Sequence, residues 1–286
     1  MPGASAKVLI VTDTTAALPP EYIAAHPIEV VPQVVLFGEE SFLEDVELAY
    51  PEFIRRLKAS PQLPKTAAPP PGELVKAYGR QLAEARTILS IHPSAEVSGT
   101  VRSALTAKED AFPDADIRVL DTRTVAGNLA TLVMLAVDWA EAGAEAEEII
   151  RRLQALIPRG RTYFLVVTLE YLQKGGHIGG AQALIAGALQ IKPILQIKDG
   201  RVEALERVRT HHRALERLKE LVIEQCPRSP DAHLCVMHAD DLGEAQRLAG
   251  DLKSSLGLNH IPIYNVGAAI TTHAGPGTLA VGFFTS

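Results

Sequence analysis

Continuous apolar runs alternate with amphipathic stretches through the first half of the chain. Val8-Leu9-Ile10-Val11, Thr87 to Ile91 and Ile117 to Leu120 are short and unbroken, as expected of strands covered on both faces. Between and after them the apolar residues take helical spacing. Leu74, Tyr78 and Leu82 lie four apart, Val101, Ala104 and Leu105 share one face after Ser98, and helices are predicted from about Val125 to Ala142 and Ala144 to Ile157. Strands alternating with helices predict a parallel sheet. Ile28 to Phe37 predicts one more strand, at an edge or interrupted, because it contains Pro32. Pro51 opens a helix with Phe53, Ile54 and Leu57 on its apolar side. Ser60 to Gly72, with Lys65-Thr66-Ala67-Ala68 between its prolines, predicts a stiff loop.

Pro158-Arg159-Gly160-Arg161 marks a candidate boundary, giving an N-terminal domain over 1–158 and a C-terminal domain over 159–286. Thr162 to Val167 predicts a strand, and Gly175-Gly176 and Gly179-Gly180 follow Leu169. Ala181 to Leu189 is small and apolar all round, which predicts a buried helix. Ile191 to Ile197 and Arg201 to Val208 form a hairpin about Asp199-Gly200. Leu215, Leu218, Leu221 and Val222 stripe a long helix. Ala232 to Met237 and Ile261 to Val266 predict strands around a helix from about Leu242 to Leu256, and a last strand runs through Phe284. The fold class is therefore α/β: a parallel-sheet N-terminal domain and a mixed-sheet C-terminal domain.

Composition narrows the functions. Hydrophobic residues make up 47% of the 286 but aromatics only 5%, so the core is mostly Ala, Leu, Val and Ile. The net charge is −6, with no basic cluster interleaved with aromatics, which argues against a nucleic-acid partner. Cys226 and Cys235 are too few for a disulfide framework and read as free thiols in a reducing compartment. The most apolar stretches are broken by Asp138 and by Lys192-Pro193, and no signal-peptide pattern is present. The expectation is a cytoplasmic protein with no stable membrane anchor.

Two places carry candidate chemistry. The strand ending at Ile91 gives way to His92-Pro93-Ser94 and then to a helix start at Ser98-Gly99-Thr100, where free N–H groups and small hydroxyls suit a carboxylate or phosphate. Thr12-Asp13-Thr14-Thr15 closes the first strand, at the carboxyl end where parallel sheets bind ligands. Plain capping explains Ser98 and Asp13 equally well. His273, beside Gly275-Pro276-Gly277, suits either a hydrogen-bonded turn or a site. Ser98, His273 and Asp13 have the residue types of a serine hydrolase acting on a lipid ester. The flanks of Ser98, Glu96-Val97 and Gly99-Thr100, do not form the Gly-x-Ser-x-Gly elbow. His92, His233, His238 and His260 lack ligand spacing, so no metal is assigned.

The run from Leu169 through Gly175-Gly176 to Ile191-Lys192-Pro193-Ile194-Leu195 and Asp199-Gly200, together with His273-Ala274-Gly275-Pro276-Gly277, resembles the DegV family of fatty-acid-binding proteins. Thr12-Asp13-Thr14-Thr15 and Ser98-Gly99-Thr100 fall in the same order. The resemblance spans essentially the whole chain and implies two α/β domains, no cofactor, and a long-chain fatty acid such as palmitate bound between the domains. It further implies a carrier with no catalysis of its own, which presents the acid to a fatty acid kinase for acyl-phosphate formation. A phosphotransfer role is the other reading of an N-terminal fold of this kind, but no histidine here sits in a recognisable phosphoacceptor motif. By the resemblance, Thr66 and Ser98 hydrogen-bond the carboxylate and His273 lies near it. Gly99, Thr100, Asp13 and Thr14 complete the ligand site, and Ala183, Leu184, Ile185, Ala188 and Leu189 wall an acyl tunnel. The chain departs from the family pattern at His177, where Arg is common, at Ala67, where Ser is common, and in the leaner loop before Ser98. His177 is thus the candidate partner or head-group contact.

Overall fold

The computed structural model describes residues 8–181 and 192–286. The buried helix expected over Ala181 to Leu189 and the tunnel wall assigned to it fall on residues 182–191, outside the described residues.

The first sheet is parallel, with the order β2-β1-β6-β7: β1 Val8–Asp13, β2 Ile28–Val31, β6 Thr87–His92 and β7 Asp116–Asp121. A small antiparallel sheet β4-β3-β5 lies beside it, from β3 Val34–Phe37, β4 Glu40–Leu43 and β5 Lys65–Ala67. The second sheet has the order β10-β9-β8-β13-β11-β12 and is antiparallel except between β11 and β12. Its strands are β8 Gly160–Leu165, β9 Lys192–Lys198, β10 Arg201–Val208, β11 Cys235–His238, β12 Ile263–Asn265 and β13 Leu279–Phe284. The helices of the first half are α1 Pro20–Ala25, α2 Tyr50–Ala59, α3 Pro71–Leu82, α4 Thr100–Ala111, α5 Ala126–Glu141 and α6 Ala146–Leu156. Those of the second are α7 Glu170–Lys174, α8 His211–Gln225, α9 Leu242–Leu256 and α10 Gly267–Ala274.

Packing explains why the first strands read as unbroken apolar runs. Val11, Ile88 and Ile117 pack against α3 and α4 on one face, through Leu74, Ala77, Tyr78, Ala104 and Ala107. Their neighbours Ile10, Leu89 and Ile91 face Leu129, Leu132 and Val133 of α5. The other side of α5 lies on the second sheet, where Ala126 and Ala130 meet Phe164, Met237 and Ala280. The far face of that sheet is covered by α8 and α9, through Leu218, Val222, Leu248 and Leu252. Helix α5 is therefore sandwiched between two sheets, which accounts for its many buried residues.

Pro32 does more than interrupt a strand. It divides Ile28 to Phe37 into β2 and β3, which join different sheets. The proline-rich loop holds a strand that its composition concealed: β5 pairs with β3, placing Thr66 opposite Val35. The predicted hairpin forms at Asp199-Gly200, both at positive φ. Gly200 is required there twice over, since its φ is +81° and a Cβ would come within 2.2 Å of Ser94 Oγ. Beside it, Arg201 pairs with Glu96 at 2.6 Å and Arg123 donates to the Asp199 carbonyl, fastening the hairpin tip to the N-terminal half. These contacts are exposed, and such pairs contribute about 0–1 kcal/mol, so they orient more than they stabilise.

A buried carboxyl makes the stronger joint. Glu44 is 1% exposed; Thr14 Oγ1 donates to its Oε2, and the Ala269 N–H of α10 donates to its Oε1 at 2.9 Å. Burial pushes the carboxyl up to about 7 from an ordinary 4.5, and the hydrogen bonds from Thr14 and Ala269 only partly offset this. The folded state thus holds a proton that the unfolded chain releases. Stability from this group is complete below pH 4.5 and is lost as pH rises through about 7, by roughly 3 kcal/mol. Glu44→Gln keeps the shape and removes the titration. Denaturant unfolding at pH 4.5 and pH 8 should show the variant gaining on the parent chain across that interval; parallel pH profiles would show that Glu44 does not titrate there.

Candidate functional site

Where the two sheets converge around α5 and α10, the side chains line a partly open cavity of about 130 Å³. One water needs roughly 10–15 Å³, so the space suits a larger guest. Most of its wall is apolar, from Phe164, Leu172, Ile197, Val202, Met237, Val266 and Ile270. The polar residues gather on Thr15, Gln33, Thr66, Ser98, His177, His273 and a few further threonines.

Four of the expected residues line this cavity together: Thr66, Ser98, His177 and His273. Thr66 stands on β5 and accepts or donates at 2.6 Å to His273 Nε2 near the end of α10. The ring of His177 meets that of His273 edge-on, with centroids 4.0 Å apart. Burial, and secondarily His177, hold His273 down to about 3, so its ring is neutral. His177 is itself lowered by burial. On the far side of the His273 ring, a Cβ on Gly175 would stand 2.3 Å from Nδ1, so only glycine fits. The first of the paired glycines thus serves the histidine. The segments that carry Thr66 and Ser98 run close together: a Cβ on Gly99 would sit 3.4 Å from Ala68 Cβ, two residues beyond Thr66.

Asp13, Thr14, Gly99 and Thr100 stand behind these residues and are not among the cavity's lining. Asp13 is fully buried. Its Oδ1 accepts from Thr15 N at 3.0 Å and from Gln33 Nε2 at 2.9 Å, and its Oδ2 lies 2.8 Å from His92 Nδ1. Thr100, fully buried, receives the second Gln33 Nε2 hydrogen at 2.9 Å and lies 2.7 Å from Ser98 Oγ. Ser98 does not cap α4. The N-cap is Gly99, and Ser98 Oγ instead accepts from Thr100 N at 3.2 Å.

The hydrolase trio is not assembled. Ser98 bonds Thr100, His273 bonds Thr66, and Asp13 bonds His92, so no hydrogen bond joins the three. Gln33 and Glu44 are the contributors that the sequence reading missed. Lys192 neither lies buried nor stands free: its Nζ donates to the Val167 carbonyl at 2.7 Å. Among the described residues no group of three or more His, Cys, Asp or Glu is placed to hold a metal, and no helix is long and apolar enough to cross a membrane. Cys226 and Cys235 are both buried and unpaired, and burial raises their thiols to about 11 and about 12.

Comparison with known proteins agrees with this architecture. A DegV domain-containing protein of Streptomyces coelicolor is 37% identical over 280 residues, covering 97% of this chain and 98% of that one. The structure described as fatty acid binding of a DegV family protein from Thermus thermophilus superposes with a TM-score of 0.88 at 30% identity, over 98% of this chain and 100% of that one. That of DegV, a fatty acid binding protein from Bacillus subtilis, gives 0.87 at 32% identity, over 99% and 100%. The family described as "Uncharacterised protein, DegV family" matches residues 7–286. With two α/β units in the expected order and a match along nearly its whole length, this chain belongs to the DegV family.

Proposed function

We propose that the protein binds a long-chain fatty acid, with the carboxylate held by Thr66 and Ser98 and the acyl chain in the apolar part of the cavity. The observation that carries this reading is the state of His273. Among the described residues its buried Nδ1 has no hydrogen-bond partner, and Gly175 packs against it. A buried N–H without an acceptor costs about 1–3 kcal/mol, so the ring's single proton belongs on Nε2. Nε2–H then donates to Thr66 Oγ1, and the Thr66 hydroxyl hydrogen is left for a guest in the cavity. A site that offers a hydroxyl donor above an apolar pocket suits a guest with an acceptor head and a hydrocarbon tail. Each buried methylene contributes about 0.8 kcal/mol, so a dozen outweigh any one head-group bond at about 1 kcal/mol. The tail sets affinity and the hydroxyls set direction.

The division over 1–158 and 159–286 then has a purpose: Ser98 and Thr66 come from the first part, His273 and most of the apolar wall from the second. A carrier role without catalysis of its own fits the unassembled hydrolase trio, and we place that role in the cytoplasm. We extend the reading to presentation of the acid to a fatty acid kinase, because neutral donors leave the carboxylate oxygens untethered by a fixed cation. His177, standing where the family commonly has Arg, would meet such a partner as a neutral group.

The first test is mass spectrometry of the purified protein under native and denaturing conditions. A long-chain fatty acid released in one-to-one ratio is the expected result; an empty protein that also refuses added palmitate overturns the reading. For the kinase step, Ser98→Arg should retain the acid yet slow acyl-phosphate formation by a fatty acid kinase, and equal rates would remove that extension. His273 gives a third check. A base held at about 3 against 6.5 unfolded stabilises fully above pH 6.5 and loses that stability as pH falls. Between pH 7.5 and pH 5 the parent chain should lose about 2 kcal/mol more than His273→Gln in chemical denaturation; identical losses would place the proton elsewhere.

A further inference from the structure

We infer that Gln33 is a positioning residue that, held by Asp13, fixes the Ser98 hydroxyl as a donor into the cavity and so makes the site select an acceptor head group. The inference rests on the proposed fatty-acid reading and concerns residues that do not themselves need to touch the acid.

The chain of hydrogen bonds has one consistent direction. Asp13 Oδ1 already accepts the backbone N–H of Thr15, so it presents an acceptor to Gln33. The Gln33 amide must therefore turn its NH2 toward Asp13, since the flipped amide would set oxygen against oxygen. The same nitrogen lies 2.9 Å from Thr100 Oγ1, and its second hydrogen points there. Thr100 Oγ1 is thus an acceptor from Gln33 and must place its own hydrogen elsewhere. Thr100 is fully buried, and the acceptor within reach is Ser98 Oγ at 2.7 Å. Ser98 Oγ also accepts the Thr100 N–H at 3.2 Å. With two hydrogens arriving at Ser98 Oγ from behind, its own hydrogen is left to point forward into the cavity that Ser98 lines.

A second run of bonds supports Asp13 itself. His92 Nδ1 lies 2.8 Å from Asp13 Oδ2, His92 Nε2 lies 2.6 Å from Ser90 Oγ, and Ser90 Oγ lies 2.7 Å from the Tyr78 hydroxyl. Asp13, Ser90, His92 and Tyr78 are all fully buried, so this run is closed to any ligand. It anchors Asp13 from the interior of the first sheet while Gln33 carries the polarity outward. Thr66, directed by His273, and Ser98, directed by Gln33, then both donate. A carboxylate answers two donors at once with charge-assisted bonds, whereas a primary alcohol of the same chain length offers one neutral oxygen.

The readout is the ratio of affinities for palmitate and hexadecanol, because the shared tail cancels any general loss of packing. Gln33→Met keeps the volume and removes both N–H donors. It should weaken palmitate about tenfold and hexadecanol less than about threefold. Thr100→Val should lower the ratio in the same sense, and Thr100→Ser, which keeps the hydroxyl, should restore it. This pair carries the test if Gln33→Met does not fold. Equal weakening of both ligands, or a ratio unchanged in Gln33→Met and Thr100→Val, would give Gln33 a purely structural role and overturn the inference while leaving fatty-acid binding intact. A parent chain that binds neither ligand would instead overturn the reading beneath it.

Discussion

Asp13 ends the first strand with its carboxyl group fully buried and, among the described residues, no arginine or lysine bonded to it. Burying such a group is costly unless its lone pairs are filled. The protein fills them from four directions: the Thr15 amide and hydroxyl, the Gln33 amide and the His92 ring. Each partner belongs to a different part of the N-terminal half, namely the turn after β1, the link between β2 and β3, and the end of β6. Satisfying one carboxyl thereby fixes the mutual positions of three segments that the site requires. The small sheet carrying Thr66 hangs from the same link through β3. The polar half of the site depends on this one acceptor more than on any exposed ion pair.

What was legible in the sequence follows from this. Runs such as Val8-Leu9-Ile10-Val11 and Thr87 to Ile91 announced strands because both faces are covered, and Asp199-Gly200 announced the hairpin because few residues accept positive φ. Ser98 stood out by its place at a helix start and His273 stayed open between a turn and a site, whereas Thr66 entered only through the family resemblance; nothing in their spacing shows that residues 66 and 273 meet. Gln33 and Glu44 left no signal, because a neutral amide after Pro32 and one carboxyl among several in an acidic stretch look like surface residues. Their importance comes from burial, which the tertiary fold supplies. Strand β5 was hidden for a related reason. Proline-rich composition argues against a central strand, but β5 is a three-residue edge strand with its prolines outside it.

The glycines divide in the same way. A turn glycine such as Gly200 is readable locally, whereas Gly175 is needed because a ring from a segment almost a hundred residues later lies against it. The contact acts at a distance along the chain. The missing side chain of Gly175 leaves the room in which the His273 ring lies with its Nε2 2.6 Å from Thr66 Oγ1. A substitution there would displace the His273 ring.

The protein does contain aspartate, histidine and serine in hydrogen-bonded series, as Asp13, His92 and Ser90. In a hydrolase such a series activates the serine toward a substrate. Here Ser90 is sealed and already shares a hydrogen bond with Tyr78, so no substrate reaches it. The serine that does face the cavity, Ser98, has a threonine behind it rather than a histidine, and threonine supplies no base at neutral pH. A hydroxyl backed by hydrogen-bond donors is a poor nucleophile and a good donor. The aspartate, histidine and serine that do stand in series thus serve, as folded, to hold the Asp13 carboxylate in place.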